Sequence, residues 1–305
     1  MNSKIEIKIY DTWDNLPACR WEELIVDFEK EFAVKQYAIF AYVENEIVGF
    51  MRVLRNPDDV CEWYTGDVHV GDNYRRKGIA TLMYKKTIEI VAQYGRATKI
   101  ITSISASNVA SIKLHKKIGF IDTGIKPSFV DYTFEKDATK YCYWLEAQLF
   151  PSRNARNVPI HMERLFPMWK AYMIEIGEKD TDEDLHNGLI NRLNISQSHE
   201  NLFFELMWCG NDMVGFVFYS VDGGIKGVIP SGYGYIMEFF ITPQWRGKKI
   251  GVRCIRKVVE KLKQKGCPKI YLTSVETSEE FWKKSGFIKS DLIDPDNNLS
   301  IWLKD

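Results

Sequence analysis

A chain of 305 residues with 45% hydrophobic and 13% aromatic side chains is long for one domain and has the apolar material for two ordinary cores. Its 41 Lys and Arg balance 41 Asp and Glu, and a formally neutral protein is not one that holds nucleic acid by neutralising phosphates. No apolar run reaches the ~18 residues of a membrane span, the first residues have no signal core, and the 6 cysteines and 5 histidines are too scattered for a metal or disulfide framework. The expectation is a reduced, cytoplasmic protein with no metal, nucleic-acid or membrane partner.

Ile5, Ile7 and Ile9 alternate with Glu6 and Lys8 and predict a strand with one buried face. Residues 13–34 have helical spacing, with Trp21, Leu24, Ile25 and Phe28 on one side. Strands follow at 37–43 and 47–54 around the polar turn Glu44-Asn45-Glu46, and a fourth at 61–70. That strand runs through Asp67, Val68, His69 and Val70 into a basic turn, Arg75-Arg76-Lys77-Gly78, and then a helix whose apolar face begins at Ile79, Leu82 and Met83. The first N–H groups of a helix lack partners and carry partial positive charge. Gly78 lets an anion approach them and Ala80 keeps the next position small, so a phosphate or pyrophosphate suits the turn; a solvated basic turn is the plain alternative. A P-loop needs Ser or Thr after Gly-Lys, and a dinucleotide fingerprint needs three glycines; neither is present.

The helix ends near Gly95, Lys99–Ile104 is a buried strand, and the stretch Asn108 to Ile118 forms a helix closed by Gly119 as a left-handed cap. Phe120 opens the next strand and Tyr141–Leu149 the last. The loop from Gly124 to Lys140 between them reads as a wide hairpin or a functional loop.

Residues 151–159 are polar and proline-flanked, a linker. Helices at roughly 161–176 and 182–194 and strands at 202–209 and 213–221 follow. From there the second half repeats the first: Val214-Gly215-Phe216 matches Val48-Gly49-Phe50, Glu238 to Arg246 matches Asp67 to Arg75 without a gap, and Lys283 to Phe287 matches Lys116 to Phe120. This is a tandem duplication, with domains at 1–150 and 151–305. No clear strand opens the second half, and its glycine-rich stretch Asp222 to Tyr235 reads as a mobile flap or a disordered hairpin.

Arg75 to Ala80 fills the pattern Arg/Gln-x-x-Gly-x-Gly/Ala, and Asn108 to Phe120 fills Asn-x-x-Ala/Ser-x-x-Leu/Phe-Tyr-x-x-x-Gly-Phe with His115 in place of the tyrosine. Together and in this order they resemble the coenzyme-A loop and second motif of the GNAT superfamily of N-acetyltransferases. The resemblance implies a mixed α/β (α+β) fold in two tandem domains, each a mostly antiparallel sheet with a splayed central parallel pair and flanking helices. It also implies transfer of an acetyl group from acetyl-CoA to a primary amine of a small molecule or peptide by direct attack in a ternary complex.

Carried over residue by residue, the main chain of Val68, His69 and Val70 meets the pantetheine arm. Arg75, Arg76, Lys77, Gly78, Ile79, Ala80 and Thr81 hold the pyrophosphate, and Asn108 and Ser111 add cofactor contacts. His115 stands as the acid and Asp67 as the base, with Glu62 and Tyr64 behind it; a helix-surface histidine that only touches cofactor is the alternative. A second cofactor site would comprise Phe240, Ile241, Arg246, Gly247, Lys248, Lys249, Ile250 and Gly251, with Glu238 as its carboxylate. This copy departs from the pattern at Lys249, Val275 and Trp282, so the first half is expected to be active and the second accessory or substrate-binding. The rival reading is a non-catalytic acyl-CoA-binding sensor or scaffold. Trp63, Tyr64, Tyr233 and Tyr235 line an amine cleft or are ordinary packing, and a homodimer is compatible with the chain.

Overall fold

The structure is a computed structural model that describes residues 4–11, 16–17, 35–94, 96–129, 132–151 and 159–305. Its contacts divide the chain into two units, Met1–Leu145 and Glu146–Asp305.

The first unit is one sheet in the order β1-β2-β3-β4-β5-β7-β6. The strands are β1 (Ile5–Tyr10), β2 (Gln36–Val43), β3 (Glu46–Arg55), β4 (Glu62–Val70), β5 (Lys99–Ser105), β6 (Ile121–Asp122) and β7 (Ala138–Trp144). Helix α1 (Ile79–Ala92) links β4 to β5, and α2 (Val109–Ile118) links β5 to β6. The β2–β3 reversal puts Glu44 and Asn45 at φ 50° and 69°, the left-handed pair that a two-residue hairpin turn requires. Ile79, Met83, Tyr84, Ile90 and Val91 of α1 enter a core with Ile39, Met51, Trp63, Ile100 and Phe120; each such side chain contributes about 1.5–3 kcal/mol of transfer free energy. Gly119 closes α2 at φ 120°, as the spacing predicts. The helix expected at 13–34 falls, apart from Leu16 and Pro17, outside the described residues.

The second unit repeats this topology in the order β13-β14-β12-β11-β10-β9-β8. Its elements are β8 (Gln148–Pro151), α3 (Pro159–Glu175), α4 (Asp182–Ser198), β9 (Leu202–Cys209), β10 (Asp212–Val221), β11 (Gly234–Ile241), α5 (Ile250–Gln264), β12 (Ile270–Ser274), α6 (Glu279–Lys284), β13 (Ile288–Ile293) and β14 (Ser300–Lys304). Two expectations change. The stretch 141–149 is not one strand: β7 ends at Trp144, and residues 148–151 belong to the second sheet, where Gln148 pairs with Trp208 and Pro151 with Glu205. That short edge strand opens the second half. The linker expected at 151–159 lies largely outside the described residues.

The glycine-rich stretch is neither flap nor open hairpin. Asp222 N donates to Tyr233 O at 2.9 Å, Gly232 N to Asp222 O at 2.8 Å, and Ile225 bridges Ile229. Ile225, Val228, Ile229 and Tyr233 pack with Tyr235, Tyr271 and Ile301 over the sheet. In the first unit the 124–140 loop does comparable work, laying Phe129 and Phe134 against Tyr64, Leu54 and Ile101.

Both sheets fork at the same place. The parallel ladder between β4 and β5 joins Glu62, Trp63 and Tyr64 to Lys99, Ile100 and Ile101; that between β11 and β12 joins only Gly234 and Tyr235 to Ile270 and Tyr271. Beyond these pairs the strands are no longer laddered. A bulge lies just past each fork: β4 shifts register between its partners Phe50 and Arg52, with Asp67 at φ 49°, and β11 shifts between Phe218 and Tyr219. A bulge adds twist and re-aims a side chain, and here it sets Asp67 and Glu238 at the mouths of the two forks.

Candidate active site

The turn after each fourth strand has one backbone shape in both units. A single 3-10 turn, Asp72–Tyr74 or Pro243–Trp245, leads to an arginine whose Nε folds back to the strand: Arg75 to Val70 O at 3.2 Å, Arg246 to Ile241 O at 2.8 Å. The tips of these arginines engage Asp72 at 2.9 Å and Glu175 at 2.6 Å. The motif arginine is therefore a staple of the turn in this structure. Two further positions are left-handed in each turn, Arg76 (φ 63°) and Gly78 (φ 84°) in one, Gly247 (φ 74°) and Lys249 (φ 60°) in the other. The glycine has moved by two positions while the geometry has stayed. A non-glycine residue there costs about 1–2 kcal/mol, which each turn bears once.

A Cβ built on Gly78 or Gly247 meets nothing within 4 Å, so packing does not explain either glycine; conformation does, and it leaves the approach open. Among the described residues no side chain caps α1 or α5, so the N–H groups of Ile79, Ala80 and Thr81, and of Ile250 and Gly251, start their helices without a capping side chain. Arg76, Lys77 and Lys249 are exposed beside them, while Lys77 and Lys248 lie 5.1 and 4.6 Å over the rings of Tyr74 and Trp245. Both turns fit a pyrophosphate group. Gly251 is different: a Cβ there would sit 3.0 Å from the Phe281 ring, so this glycine serves packing.

In the first unit, Asp67 is half-buried and ion-paired to Arg52, whose Nη2 also donates to Tyr132 Oη at 3.1 Å. Val68 and Val70 lean on the core, and His69 is exposed. Glu62 lies at the other end of β4, tied to Lys99 at 3.2 Å and Lys140 at 2.8 Å. Trp63 stacks on Tyr37 in the core, and Tyr64 stacks on Phe129. Asn108 is the N-cap of α2, its Oδ1 accepting from Ser111 N at 3.0 Å.

His115 is 2% exposed. Its Nδ1 lies 2.7 Å from Ser111 O, which can only accept, so Nδ1 carries the proton. Nε2 therefore accepts from Tyr84 Oη at 2.5 Å, and that hydroxyl oxygen lies 3.3 Å from Thr65 Oγ1 at the base of the fork. Burial pushes the His115 pKa down to about 4 despite the Ser111 carbonyl. A neutral imidazole with both nitrogens engaged has no proton to give at pH 7. The expectation of His115 as the acid meets a core residue.

In the second unit Glu238 has a different environment from Asp67. It is one-tenth exposed, and Arg192 Nε of α4 reaches its Oε1 at 2.7 Å. Its Oε2 is buried and accepts no hydrogen bond from any described residue. Burial raises the carboxyl pKa to about 7, with Arg192 opposing. Trp169 and Tyr172 of α3 and Tyr235 of β11 lie about this corner: the Arg192 guanidinium lies 4.8 Å over the Trp169 ring, the Tyr172 hydroxyl is pushed upward by its burial and then by Glu238, and the Tyr235 hydroxyl by its burial, with Asp294, Asp222 and least of all Glu238 adding to it. Trp282, at the position of His115, is buried between Phe239, Phe281 and Phe287. Val275 precedes a 3-10 turn without a side-chain cap, and α6 has 6 residues where α2 has 10. Sequence reasoning missed Arg192, Tyr172 and Tyr84. They are mid-helix residues that no motif marks, brought in by packing alone.

The sequence model of the Acetyltransferase (GNAT) family matches the chain twice, over residues 7–120 and 162–287. An N-alpha-acetyltransferase of Sulfurisphaera tokodaii is 26% identical over 110 residues, which is 35% of this chain and 66% of that protein. An acetyltransferase from Thermus thermophilus aligns with a TM-score of 0.41 at 17% identity, over 52% of this chain and 97% of that one. The PaiA N-acetyltransferase from Thermoplasma acidophilum, solved in complex with coenzyme A, aligns with a TM-score of 0.39 at 19% identity, over 52% and 98%. With two family matches in register with two copies of one topology, the chain belongs to the acetyltransferase (GNAT) family and carries its unit in tandem.

Proposed function

We propose that the chain is an acetyl-CoA-dependent N-acetyltransferase whose chemistry is carried by the second unit, with Glu238 as general base toward a primary amine of a small molecule or peptide. The observation that carries this reading is Glu238 itself. It is a buried carboxylate at the mouth of the fork with one oxygen unpartnered among the described residues and a pKa raised to about 7. An ammonium must lose a proton before it attacks. A base poised near the working pH combines an ionised fraction with enough basicity to take that proton, a contribution of about 100- to 10,000-fold.

Acetyl-CoA, when bound, supplies the activated acyl group. Arg246 keeps the turn in shape, the helix start at Ile250 and Gly251 with Lys248 and Lys249 takes the pyrophosphate, and the unladdered edge of β11 at Phe240 and Ile241 offers main-chain groups to an extended arm. Glu238 Oε2 accepts the amine proton. Trp282 offers no titrating proton, so the departing thiolate is not assigned an acid.

This turns away from the motif-based expectation that the first unit is the active one. There Asp67 is held by Arg52 and His115 is neutral and enclosed, which supports cofactor binding without turnover at the Arg75–Thr81 turn. The test is thiol release from acetyl-CoA by the full chain across a panel of amines. Glu238→Gln should lose transfer and Asp67→Asn should keep it. The reverse pattern returns catalysis to the first unit, and measurable acetyl-CoA binding with no turnover on any amine favours the sensor.

A further inference from the structure

We propose that Arg192 is a positioning residue for this reaction: it takes one oxygen of Glu238 and so aims the other, buried and unpartnered, at the acceptor amine. The inference rests on the reading of Glu238 as base. Its geometry is independent of that reading. Arg192 is held at three points, by Glu238 Oε1 at 2.7 Å, by the Trp169 ring at 4.8 Å and by the Gly188 carbonyl one helical turn back at 3.4 Å from Nη1. A guanidinium fixed on a ring face and a helix carbonyl cannot swing with the carboxylate, so it fixes Oε1 and with it the plane of the whole group. A carboxylate has about four lone-pair sites. Bonding through Nε to one oxygen, rather than as a fork to both, leaves the second oxygen available where a buried acceptor is costly unless something uses it.

The arrangement also divides two tasks. Burial would hold Glu238 protonated, and the single contact to Arg192 offsets this without neutralising the group's ability to take a proton. Other titratable groups face it: Tyr172, itself influenced by Glu175, from α3, and Tyr235 from its own strand, while β10 presents only Phe218 opposite. Among the described residues none of these is a second cation, and Arg192 is the group that opposes the burial. The resulting acceptor class is a primary amine that arrives as an ammonium and finds an anionic oxygen flanked by the rings of Tyr172 and Tyr235.

The experiment is the pH dependence of kcat/KM for acetyl transfer by the full chain, wild type against Arg192→Met and Arg192→Lys, with Glu238→Gln alongside. Loss of a cation within hydrogen-bond reach raises a carboxylate pKa by about 1–3. The ascending limb in Arg192→Met should move up by that amount, with a loss at pH 7 of at least about fivefold that is regained at high pH, and Arg192→Lys should restore part of it. A uniform loss with the limb unmoved overturns the positioning role and leaves Arg192 a structural residue. Circular dichroism on each variant separates unfolding from that outcome, and in a variant that unfolds, restoration of the limb by Arg192→Lys decides. If Glu238→Gln retains wild-type transfer, the base reading fails instead, and the Arg192 variants then have no limb to move.

Discussion

The enclosure of His115 predicts that the first unit is acid-labile in a defined window. In the unfolded chain this histidine titrates near 6.5, while in the fold burial lowers it to about 4. The unfolded state therefore binds a proton that the native state refuses, and stability from this group is fully present above pH 6.5 and is lost as pH falls toward 4. The full gap corresponds to about 3.4 kcal/mol, and about 2.5 kcal/mol of it is gone by pH 4.5. Replacement by phenylalanine removes the titration and leaves Tyr84 without its acceptor, although Thr65 stays within reach. His115→Phe should therefore be less stable at pH 7 by about 1 kcal/mol, and the two urea curves should cross before pH 4.5. Hydrogen exchange of the β4 and β5 peptides assigns the transition to the first unit, and NMR of the imidazole reports its titration directly. Parallel loss of stability in wild type and His115→Phe between pH 6.5 and 4.5 would refute the reasoning, as would an imidazole that titrates near 6.5.

Lys249→Gly should stabilise the second unit by up to about 1 kcal/mol, because it relieves a left-handed side chain that contacts nothing needed by the fold; a midpoint that falls in thermal unfolding would contradict this. Gly78→Glu and Lys249→Glu place bulk and negative charge against the two phosphate turns, so in calorimetry each should remove one of two acetyl-CoA binding events, and only Lys249→Glu should abolish transfer. Asp67→Asn removes the carboxylate paired with Arg52, a pair in which Asp67 is 26% exposed; unfolding of the first unit should become easier by about 1 kcal/mol, the scale of a partly solvated pair, while transfer persists.

Much of the fold was legible in local pattern. The β2–β3 hairpin, the strand-turn-helix at Asp67 to Met83, and the Gly119 cap each follow from a few neighbouring residues, and the register of Glu238 to Arg246 on Asp67 to Arg75 exposed the duplication. What stayed hidden depends on distant packing. Pattern reading ran β7 and β8 together because Tyr141 to Leu145 is apolar and Ala147 and Leu149 continue an alternating pattern past Glu146 and Gln148, and only the sheet in which each half pairs separates them. The identity of residue 115 was plain, but its burial is set by Tyr84 on another helix. Glu238 was found as a carboxylate in register; its raised pKa comes from burial and its oriented oxygen from Arg192, 46 positions away, on a helix that no motif marks. Backbone shape was hidden too, since Lys249 reads as a lost glycine until Gly247 is seen to be the gained one.

The two fork-mouth carboxylates separate what a duplicated domain must keep from what it is free to vary. Both copies keep the fork, the bulge and the left-handed turn that the proposed function assigns to an extended, phosphate-bearing group, and these are backbone features that tolerate exchange of Gly78 for Lys249 so long as a partner position compensates. The carboxylate's role is not a backbone property. On β3, Arg52 sits beside Asp67 and pairs with it, while also donating to Tyr132 Oη. On β10 the corresponding neighbour is Phe218, and the cation comes instead from α4, anchored on Trp169, where it reaches only one oxygen. In the first unit the cation comes from the adjacent strand, whereas in the second it comes from the covering helix and the strand neighbour is apolar. Phe218→Arg in the second unit, which reproduces the first unit's arrangement, should silence transfer while leaving acetyl-CoA binding intact. Undiminished transfer in that variant, with the protein folded, would show that the neighbouring strand does not decide which copy turns over.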